Sequence, residues 1–506
     1  MLFYIDNFLN RITMYRLMRY CLAFLWTLGL IFSFFHLLPF DYKDLIFSFA
    51  VLFAVCLAAD KILSTIFHAP VNIDSTYITA FILSLVAGPA RSVNEYGLLA
   101  LVSLLAIASK YLLVVNKKHV FNPAAFGIAV AAYLAGFYAS WWVGDPLMLP
   151  FVVACGLLII RKLQRTDLVL SFFIVFLLVS LDIQALNWQS SWLAIKNTFA
   201  YSSIPFFAFI MLTEPATTPP TRIRRIIYGS LTGLLLAPFI HIGSFYFSPE
   251  LALLAGNLLS FAISPRYKLL LVLKEKRLIA QNTYEFIFTP ERMIPFKPGQ
   301  YLEWTLPHGK QDSRGSRRYF TIASSPTEPT ASLGIKFYEG SSSFKQALAA
   351  LEPGGRVIGS QLSGEFILPE NKDKKLIFIA GGIGITPFRS MIKYLIDTNE
   401  KRDVVLFYAN KTYQDVAYRA IFEQAHKALG ITTVYTLSDT NGVPAAFQYE
   451  PGMVTPELIK KYAPDFKERT YYISGPRAMI LSFKENLQKM GIPRSHIKTD
   501  FFPGYT

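Results

Sequence analysis

The densest chemical pattern in the chain is Arg318–Pro326, reading RYFTIASSP, in which Arg318, Tyr319, Phe320 and Thr321 follow one another on an alternating, strand-like run. A guanidinium can clamp a pyrophosphate through charged hydrogen bonds. An aromatic two residues on can stack against a flavin ring, and the hydroxyl beside it can reach the ring nitrogen that takes up hydride. An ordinary strand with one arginine and two packed aromatics carries the same letters, so the pattern gains weight only from its company. Downstream stand Lys336 and then GSSSF, where Gly340, Ser342, Ser343 and Phe344 form a turn at a helix start whose backbone N–H groups suit an anion. Further on, KKLIFIAGGIGITPFRSMIKYL passes from an apolar strand through Gly381, Gly382, Gly384, Ile385 and Thr386 into a helix. There the glycines let the backbone approach a dinucleotide's phosphates, and the helix dipole favours their charge.

These patterns need strands to hold them, and the flanking sequence supplies them. KLLLVLKEKRLIAQNTYEFIFTP and YLEWTLP read as strands parted by FKPGQ, a Pro-Gly turn. With RYFTIASSP, LGIKFYEG and one short Ser-capped helix, they predict a small antiparallel β-barrel over 265–370. Strand–helix alternation then takes over through DVVLFYANK, a helix at Arg419–Leu429, TTVYTL and RTYYISGPRAMI. It predicts an α/β domain with a parallel sheet over 371–506. Ser474, Gly475, Pro476 and Met479 stand at the end of one such strand. Lys411 stands just past another, with Asp415 nearby.

The amino-terminal half is different material. Residues 1–264 carry 16 Lys/Arg and 11 Asp/Glu against 33 and 23 in residues 265–506, and the long apolar runs stop at the same point. Ten apolar segments predict a polytopic α-helical membrane domain, although several are shorter than the ~20 residues a simple span needs. Loops on the amino-terminal side hold twelve basic residues against three opposite, which predicts both termini on the cytoplasmic side of the cell membrane. The net charge of +15 then points to an anionic membrane surface, and no nucleic-acid partner is expected. Cys21, Cys56 and Cys155 stand singly with no CxxC or ferredoxin-type cluster, so neither an iron–sulfur centre nor another metal site is expected. His36, His68, His119 and His241 are scattered singly near segment ends, which leaves a bis-histidine haem unexpected as well. The first apolar run follows Arg11, Arg16 and Arg19 without a small-residue cleavage site, so it reads as a span and not as a cleaved signal.

A repeat runs through this half. Pro89–Ala90 and Phe121-Asn122-Pro123 recur as Pro215–Ala216 and Phe247-Ser248-Pro249, offset by 126 residues. Five helices repeated once must invert, and inverted repeats with short or broken helices commonly build a site at their interface. Polar residues gather near these turns: Asn122, Thr213, Glu214, Thr217 and Thr218, with Ser75, Thr76 and Thr79. They suit either helix capping or a pocket for a flavin or quinone.

STYITAFILSL (75–85), KKHVFNPAAFGIAV (117–130) and LTEPATTPPT (212–221) resemble the membrane subunits NqrB and RnfD of the sodium-translocating NADH:quinone reductase and the Rnf complex. That resemblance covers roughly residues 15–264. It implies a redox cofactor in the membrane domain, but the outer stretch around Asp182–Lys196 lacks the family's flavinylation motif, so covalent FMN is not expected. The remainder, about 266–506, resembles the ferredoxin–NADP⁺ reductase family through five motifs in order: RYFTIAS, GSSSF, AGGIGITP, SGPRAM and the terminal FFPGY. Two departures are Phe320 where the family often has Tyr, and Ser474 in place of its Cys.

That second resemblance implies non-covalent FAD, with Arg318 and Ser342–Phe344 on its phosphates and Phe320 and Thr321 at its ring. Tyr319, Lys336 and Gly340 belong to the same expected cofactor set. It places the NAD(P)H pyrophosphate on Gly381, Gly382, Gly384, Ile385 and Thr386, with Ser474, Gly475, Pro476 and Met479 at the nicotinamide. Tyr505 would cover the flavin's other face, Lys411 would either pair with a 2′-phosphate or stand as a solvated turn lysine, and NADH and NADPH both stay open.

The expected architecture is therefore a polytopic α-helical membrane domain (1–264; about ten spans, inverted five-helix repeat) fused to a ferredoxin-reductase-like module. That module comprises an antiparallel β-barrel FAD domain (265–370) and an α/β parallel-sheet NAD(P) domain (371–506). The expected function is a flavoprotein oxidoreductase in the lipid bilayer, passing electrons from cytosolic NAD(P)H through FAD to a cofactor, quinone or redox partner protein. Redox-coupled Na⁺ or H⁺ translocation, or a reductase merely anchored by its membrane half, are the alternatives.

Overall fold

The computed structural model describes residues 5, 8, 9 and 12–500, except 69–72, 116, 117, 181–192, 194, 198, 239, 265–267, 310, 313 and 314. The chain divides into two compact units, Met1–Tyr267 and Lys268–Thr506.

The first unit is helical: α1 (Met14–Phe34), α2 (Tyr42–Ile66), α3 (Ile73–Val86), α4 (Val93–Leu112), α5 (Pro123–Ala135), α6 (Leu149–Leu163) and α7 (Thr166–Ser180). Then come α8, a turn at Ile204–Phe206 that widens into a π-helix at Phe207–Met211, α9 (Arg222–Leu236) and α10 (Pro249–Ile263). Two-residue-per-strand hairpins, β1 (Val114–Val115) with β2 (Lys118–His119) and β3 (His241–Ile242) with β4 (Phe245–Tyr246), precede α5 and α10. Both of those helices start alike. Asn122 accepts from Ala125 N–H and Ser248 from Leu251 N–H, each followed by a proline at the first helical position, where its missing N–H costs nothing. Helix, hairpin, capped helix thus recurs at the 126-residue offset. Among the described residues, only α1, α2 and α4 are helices long and apolar enough to cross a membrane. The other apolar helices α3, α5, α7 and α10 have 13 to 15 residues, so the described helices do not provide the ten full-length spans expected from sequence.

The second unit begins with an antiparallel sheet in the order β8-β7-β10-β5-β6-β9. Its strands are β5 (Leu269–Ala280), β6 (Thr283–Pro290), β7 (Tyr301–Thr305), β8 (Arg317–Thr321), β9 (Ala331–Lys336) and β10 (Arg356–Ser363), with α11 (Ser343–Ala349) between the last two. It is an open half-barrel. A wholly parallel sheet follows in the order β14-β13-β12-β11-β15-β16. It comprises β11 (Leu376–Gly381), β12 (Val404–Asn410), β13 (Thr432–Leu437), β14 (Glu450–Pro451), β15 (Thr470–Ser474) and β16 (Ile497–Thr499). Its helices are α12 (Thr386–Asp397), α13 (Arg419–Leu429), α14 (Pro456–Tyr462) and α15 (Arg477–Lys489). β11 is buried at every position, the mark of a central parallel strand covered on both faces.

Candidate functional site

Strand order in the parallel sheet reverses between β11 and β15. Such a switch point leaves a crevice at the carboxyl ends of the strands. The loops leaving those two ends meet there. A Cβ on Gly384 would fall 2.5 Å from the Ser474 carbonyl and 2.6 Å from Gly475 Cα. A Cβ on Gly381 would fall 2.5 Å from Met479 Sδ and 3.1 Å from Pro476 Cδ. Gly382 has φ +52 and Gly475 φ +154, conformations that L side chains rarely adopt. The structure therefore packs backbone on backbone where the sequence expects a dinucleotide, a cradle any side chain would fill. Ile385 is buried, and Thr386 opens α12 with its hydroxyl 3.3 Å from the Ile383 carbonyl. The Ser474 hydroxyl donates to Asp500 Oδ2 at 3.2 Å.

From this crevice a cleft of about 560 Å³, its open mouth included, runs past Gly381, Gly382 and Met479 to Asn410, Lys411 and Asp415. Lys336, at the end of β9, reaches into it and pairs with Asp415 at 2.6 Å. Burial pushes the Asp415 carboxyl up, but the Lys336 ammonium and the Thr412 hydroxyl more than offset this and hold it below the usual carboxylate range. Lys336 thus belongs to the dinucleotide cleft, and Asp415 arrives there already engaged.

On the half-barrel, β8 brings together Arg318, Phe320, Ser343 and Phe344. The Arg318 guanidinium is buried and lies 5.4 Å from the Phe344 ring centroid, and Phe320 lies 5.9 Å from the same ring. Gly340 turns with φ +73, and Ser342 caps α11 by accepting from Lys345 N–H. Strand alternation sends Tyr319 to the opposite face, where its hydroxyl donates to Glu303 Oε2 at 2.9 Å. Its place in the expected cofactor set is therefore backbone only. Thr321 is buried at the end of β8, opposite Tyr301. Tyr505 lies outside the described residues.

Two parts of this site had no spacing rule to reveal them. Asp312, in the polar loop before β8, accepts from Ser343 N–H at 3.1 Å and lies 3.5 Å from Arg318. Arg389 on α12 is buried, donates to the Ala323 carbonyl at 3.1 Å, and forks onto both oxygens of Glu328, with Glu285 3.9 Å away. It ties the segment after β8 to the helix that opens at the glycine loop. Buried cation, turn N–H groups, half-buried aromatic and glycine cradle fit FAD on the half-barrel and a nicotinamide dinucleotide on the parallel sheet.

In the helical unit, Asn122 Nδ2 donates to Glu214 Oε2 at 2.9 Å, Thr217 Oγ1 donates to the same oxygen at 3.1 Å, and His119 Nε2 stands 3.7 Å from Oε1. Asn257 joins through its side-chain oxygen, which accepts from Asn122 N–H at 2.8 Å. Thr213 and Thr218 are spent on helix backbone, donating to the carbonyls of Phe209 and Glu214. Asn122 and Glu214 line a cavity of about 640 Å³, open mouth included, whose other polar walls are Tyr15, Ser75, Thr79 and Lys162. Lys162 sits in the basic run RKLQR, yet it is buried and donates to the Leu9 carbonyl at 2.8 Å.

Comparison with known proteins agrees with the second unit. Residues 378–485 match the family described as Oxidoreductase NAD-binding domain. The chain is 27% identical over 222 residues to the glycine betaine monooxygenase reductase subunit of Pseudomonas aeruginosa, covering 44% of this chain and 60% of that protein. It is 29% identical over 216 residues to the reductase component of propane 2-monooxygenase from Rhodococcus jostii, covering 41% and 55%. Among solved structures, the cytochrome P450 reductase GcoB of Amycolatopsis aligns with a TM-score of 0.42 at 22% identity, covering 47% of this chain and 70% of that one. The chain spans no more than about 60% of the length of these two curated relatives. The carboxy-terminal half joins an antiparallel half-barrel sheet to a parallel sheet, and the NAD-binding family match falls on the latter.

Proposed function

We propose that the chain is an NAD(P)H-dependent flavoprotein oxidoreductase embedded in the cell membrane, delivering electrons to an acceptor held by its helical unit. The observation that carries this reading is the meeting of the Gly381–Thr386 and Ser474–Met479 loops at the switch point, in one compact unit with the Arg318–Phe320–Ser343 cluster. Gly381 and Gly384 let backbone N–H groups approach a pyrophosphate, Ser474 and Gly475 flank the nicotinamide, and Arg318 with the Ser343 turn receives the FAD phosphates. FAD, when bound, supplies what these side chains cannot: it accepts electrons as a hydride pair and releases them singly. Lys336 neutralises Asp415 at the far end of the cleft, which removes a repulsive charge from the path of either coenzyme.

The membrane assignment draws support from α1, α2 and α4, from the repeated capped helices, and from the basic bias of one set of loops. We carry forward the likeness to NqrB and RnfD, an inverted five-helix repeat with short helices counted toward ten crossings, and a cytoplasmic reductase unit. The acceptor is a flavin, quinone or redox partner protein, with the Asn122–Glu214 cavity as the place for the first two.

Purified full-length protein should be yellow, release FAD on denaturation and reduce ferricyanide with NAD(P)H. Colourless protein that cannot be reconstituted with FAD would sink the reading. For orientation, Thr218 is buried and unsuited to labelling, but Ser92 and Ile223 are exposed. Cysteines placed there, in a chain lacking the native three, should react from opposite sides of the membrane.

A further inference from the structure

We infer that the cavity of the helical unit takes an acceptor that is protonated as it is reduced, and that Asp60, Tyr111 and Lys110 bring the proton to its wall; this rests on the acceptor reading above. Asp60 stands about two turns before the end of α2. In the structure it is buried on α2 and held by two hydroxyls, Thr76 Oγ1 at 2.9 Å and the Tyr111 hydroxyl at 2.6 Å. One residue along each partner helix, Lys110 Nζ lies 3.2 Å from both the carbonyl and the Oγ of Ser75. Ser75 lines the cavity. Two rungs thus cross between α3 and α4, Thr76–Asp60–Tyr111 and Ser75–Lys110, and the second ends at the cavity. Across the cavity stands Glu214, with His119 behind it.

The arrangement is expensive. A carboxylate and an ammonium placed among apolar helices each cost several kcal/mol of lost hydration, and intramembrane ionisable groups are therefore kept mainly for function. A single serine or threonine cap would end α3 as well. The groups facing the chain are few: Cys56 on α2 and Glu214 near Lys110, and the exposed Lys61 beside Asp60 in sequence. Every link is a group that can both give and take a proton, or a hydroxyl that can pass one on.

The chemistry follows from the balance. NAD(P)H gives up two electrons and one proton. An acceptor with two conjugated carbonyls, the quinone class, needs two electrons and two protons to become the diol: two O–H bonds form, and one C=O π bond is lost at each carbon. The sum is NAD(P)H + H⁺ + quinone → NAD(P)⁺ + quinol; because FAD passes the electrons on singly and sheds the hydride's proton where it binds, both protons of the quinol are delivered at the cavity. Asp60, reloaded through Tyr111 after each transfer, supplies them one at a time by way of Lys110 and Ser75. A one-electron metal acceptor would need no such chain.

The test compares two acceptors on the full-length protein. Ferricyanide takes electrons without protons, and a short-chain benzoquinone takes both. Asp60→Asn and Tyr111→Phe should keep wild-type FAD content and ferricyanide turnover. In Asp60→Asn, benzoquinone turnover should fall at least tenfold, its solvent deuterium isotope effect should rise, and its pH optimum should shift. A purely structural role would depress both acceptors together and leave the isotope effect unchanged, which would overturn the proposal. Benzoquinone turnover equal to wild type in both Asp60→Asn and Lys110→Met would overturn it too. Wild-type protein that reduces ferricyanide but no benzoquinone would instead remove the acceptor reading beneath it.

Discussion

Glycine does different work in the two units. In the helical unit a Cβ on Gly127, Gly229 or Gly233 would fall 2.5–2.7 Å from a backbone carbonyl of a neighbouring helix, at Val102, Leu168 and Phe172 respectively. These glycines let neighbouring helices approach closely. In the reductase unit Gly381 and Gly384 let two loops cross over a crevice instead. Forked arginine–carboxylate pairs occur in both units, Arg389 with Glu328 and Arg469 with Asp403 in the second and Arg225 with Asp167 in the first. The helical unit surrounds Asp60 and Glu214 with hydroxyls and an amide. One unit lines its cleft with backbone fixed by short sequence, the other lines its cavity with side chains gathered from distant helices.

The largest expected effect breaks that contrast at Arg389. Arg389→Met keeps the apolar stem but leaves Glu328 and the buried Glu285 without their cation. Removing one partner of a buried pair costs about 3–5 kcal/mol. Thermal or denaturant unfolding should show the loss in the reductase unit alone, with FAD released early. A loss shared equally by the helical unit would mean that the two do not unfold independently.

Next comes Arg318→Ala, which removes a buried charged donor at the expected FAD phosphates. The loss should be about 1.5–3 kcal/mol, or roughly a 10- to 150-fold weaker FAD affinity by fluorescence titration. Undiminished FAD occupancy would show that the clamp lies elsewhere. Asp312 sharpens the point, because its carboxylate faces the same guanidinium.

The contrast also explains what could be read in advance. Glycine loops, the Arg318 strand and the order of strands and helices are contiguous, and their chemistry lies in the backbone, so short stretches such as AGGIGITP carried them. Tyr319 misled because a motif lists residues in sequence while a strand deals them to alternate faces. Lys336, Asp312 and Arg389 were hidden in their roles because each acts across a tertiary contact with no fixed spacing. In the helical unit the Asn122 and Glu214 turns were legible as helix caps at a repeat, but Ser75, Lys110 and Asp60 meet only once α2, α3 and α4 are packed. Span number is less legible, since apolar runs show where helices form but not that each is long enough to cross.

A paired substitution isolates the two uses of glycine. Gly384→Ala forces a methyl into the Ser474–Gly475 crossing, and Gly233→Ala forces one against Phe172. Overpacking costs about 1–3 kcal/mol in either place. Gly384→Ala should raise the KM for NAD(P)H while FAD stays bound. Gly233→Ala should lower the stability of the helical unit and leave that KM alone. Equal KM values in the two variants would remove the cradle from the argument.

The smallest effect is a pH dependence confined to the reductase unit. Asp465 accepts from Arg469 at 2.6 Å and lies 2.8 Å from Lys375. The Arg469 hydrogen bond, aided by Lys375 and opposed by burial, pulls its carboxyl from the usual 3.8 down to about 2. Because the folded pKa lies below the unfolded one, folding favours the charged form. That stabilisation is complete above about pH 4 and is lost as pH falls toward 2. Partial exposure of the pair holds the contribution to about 1–2 kcal/mol. Asp465→Asn should therefore flatten the acid limb of the reductase unit's stability curve in that window and change nothing at pH 7 beyond the lost pair. An unchanged acid limb would assign the sensitivity to Glu400 and Asp415, whose carboxyls are also held low by neighbouring cations.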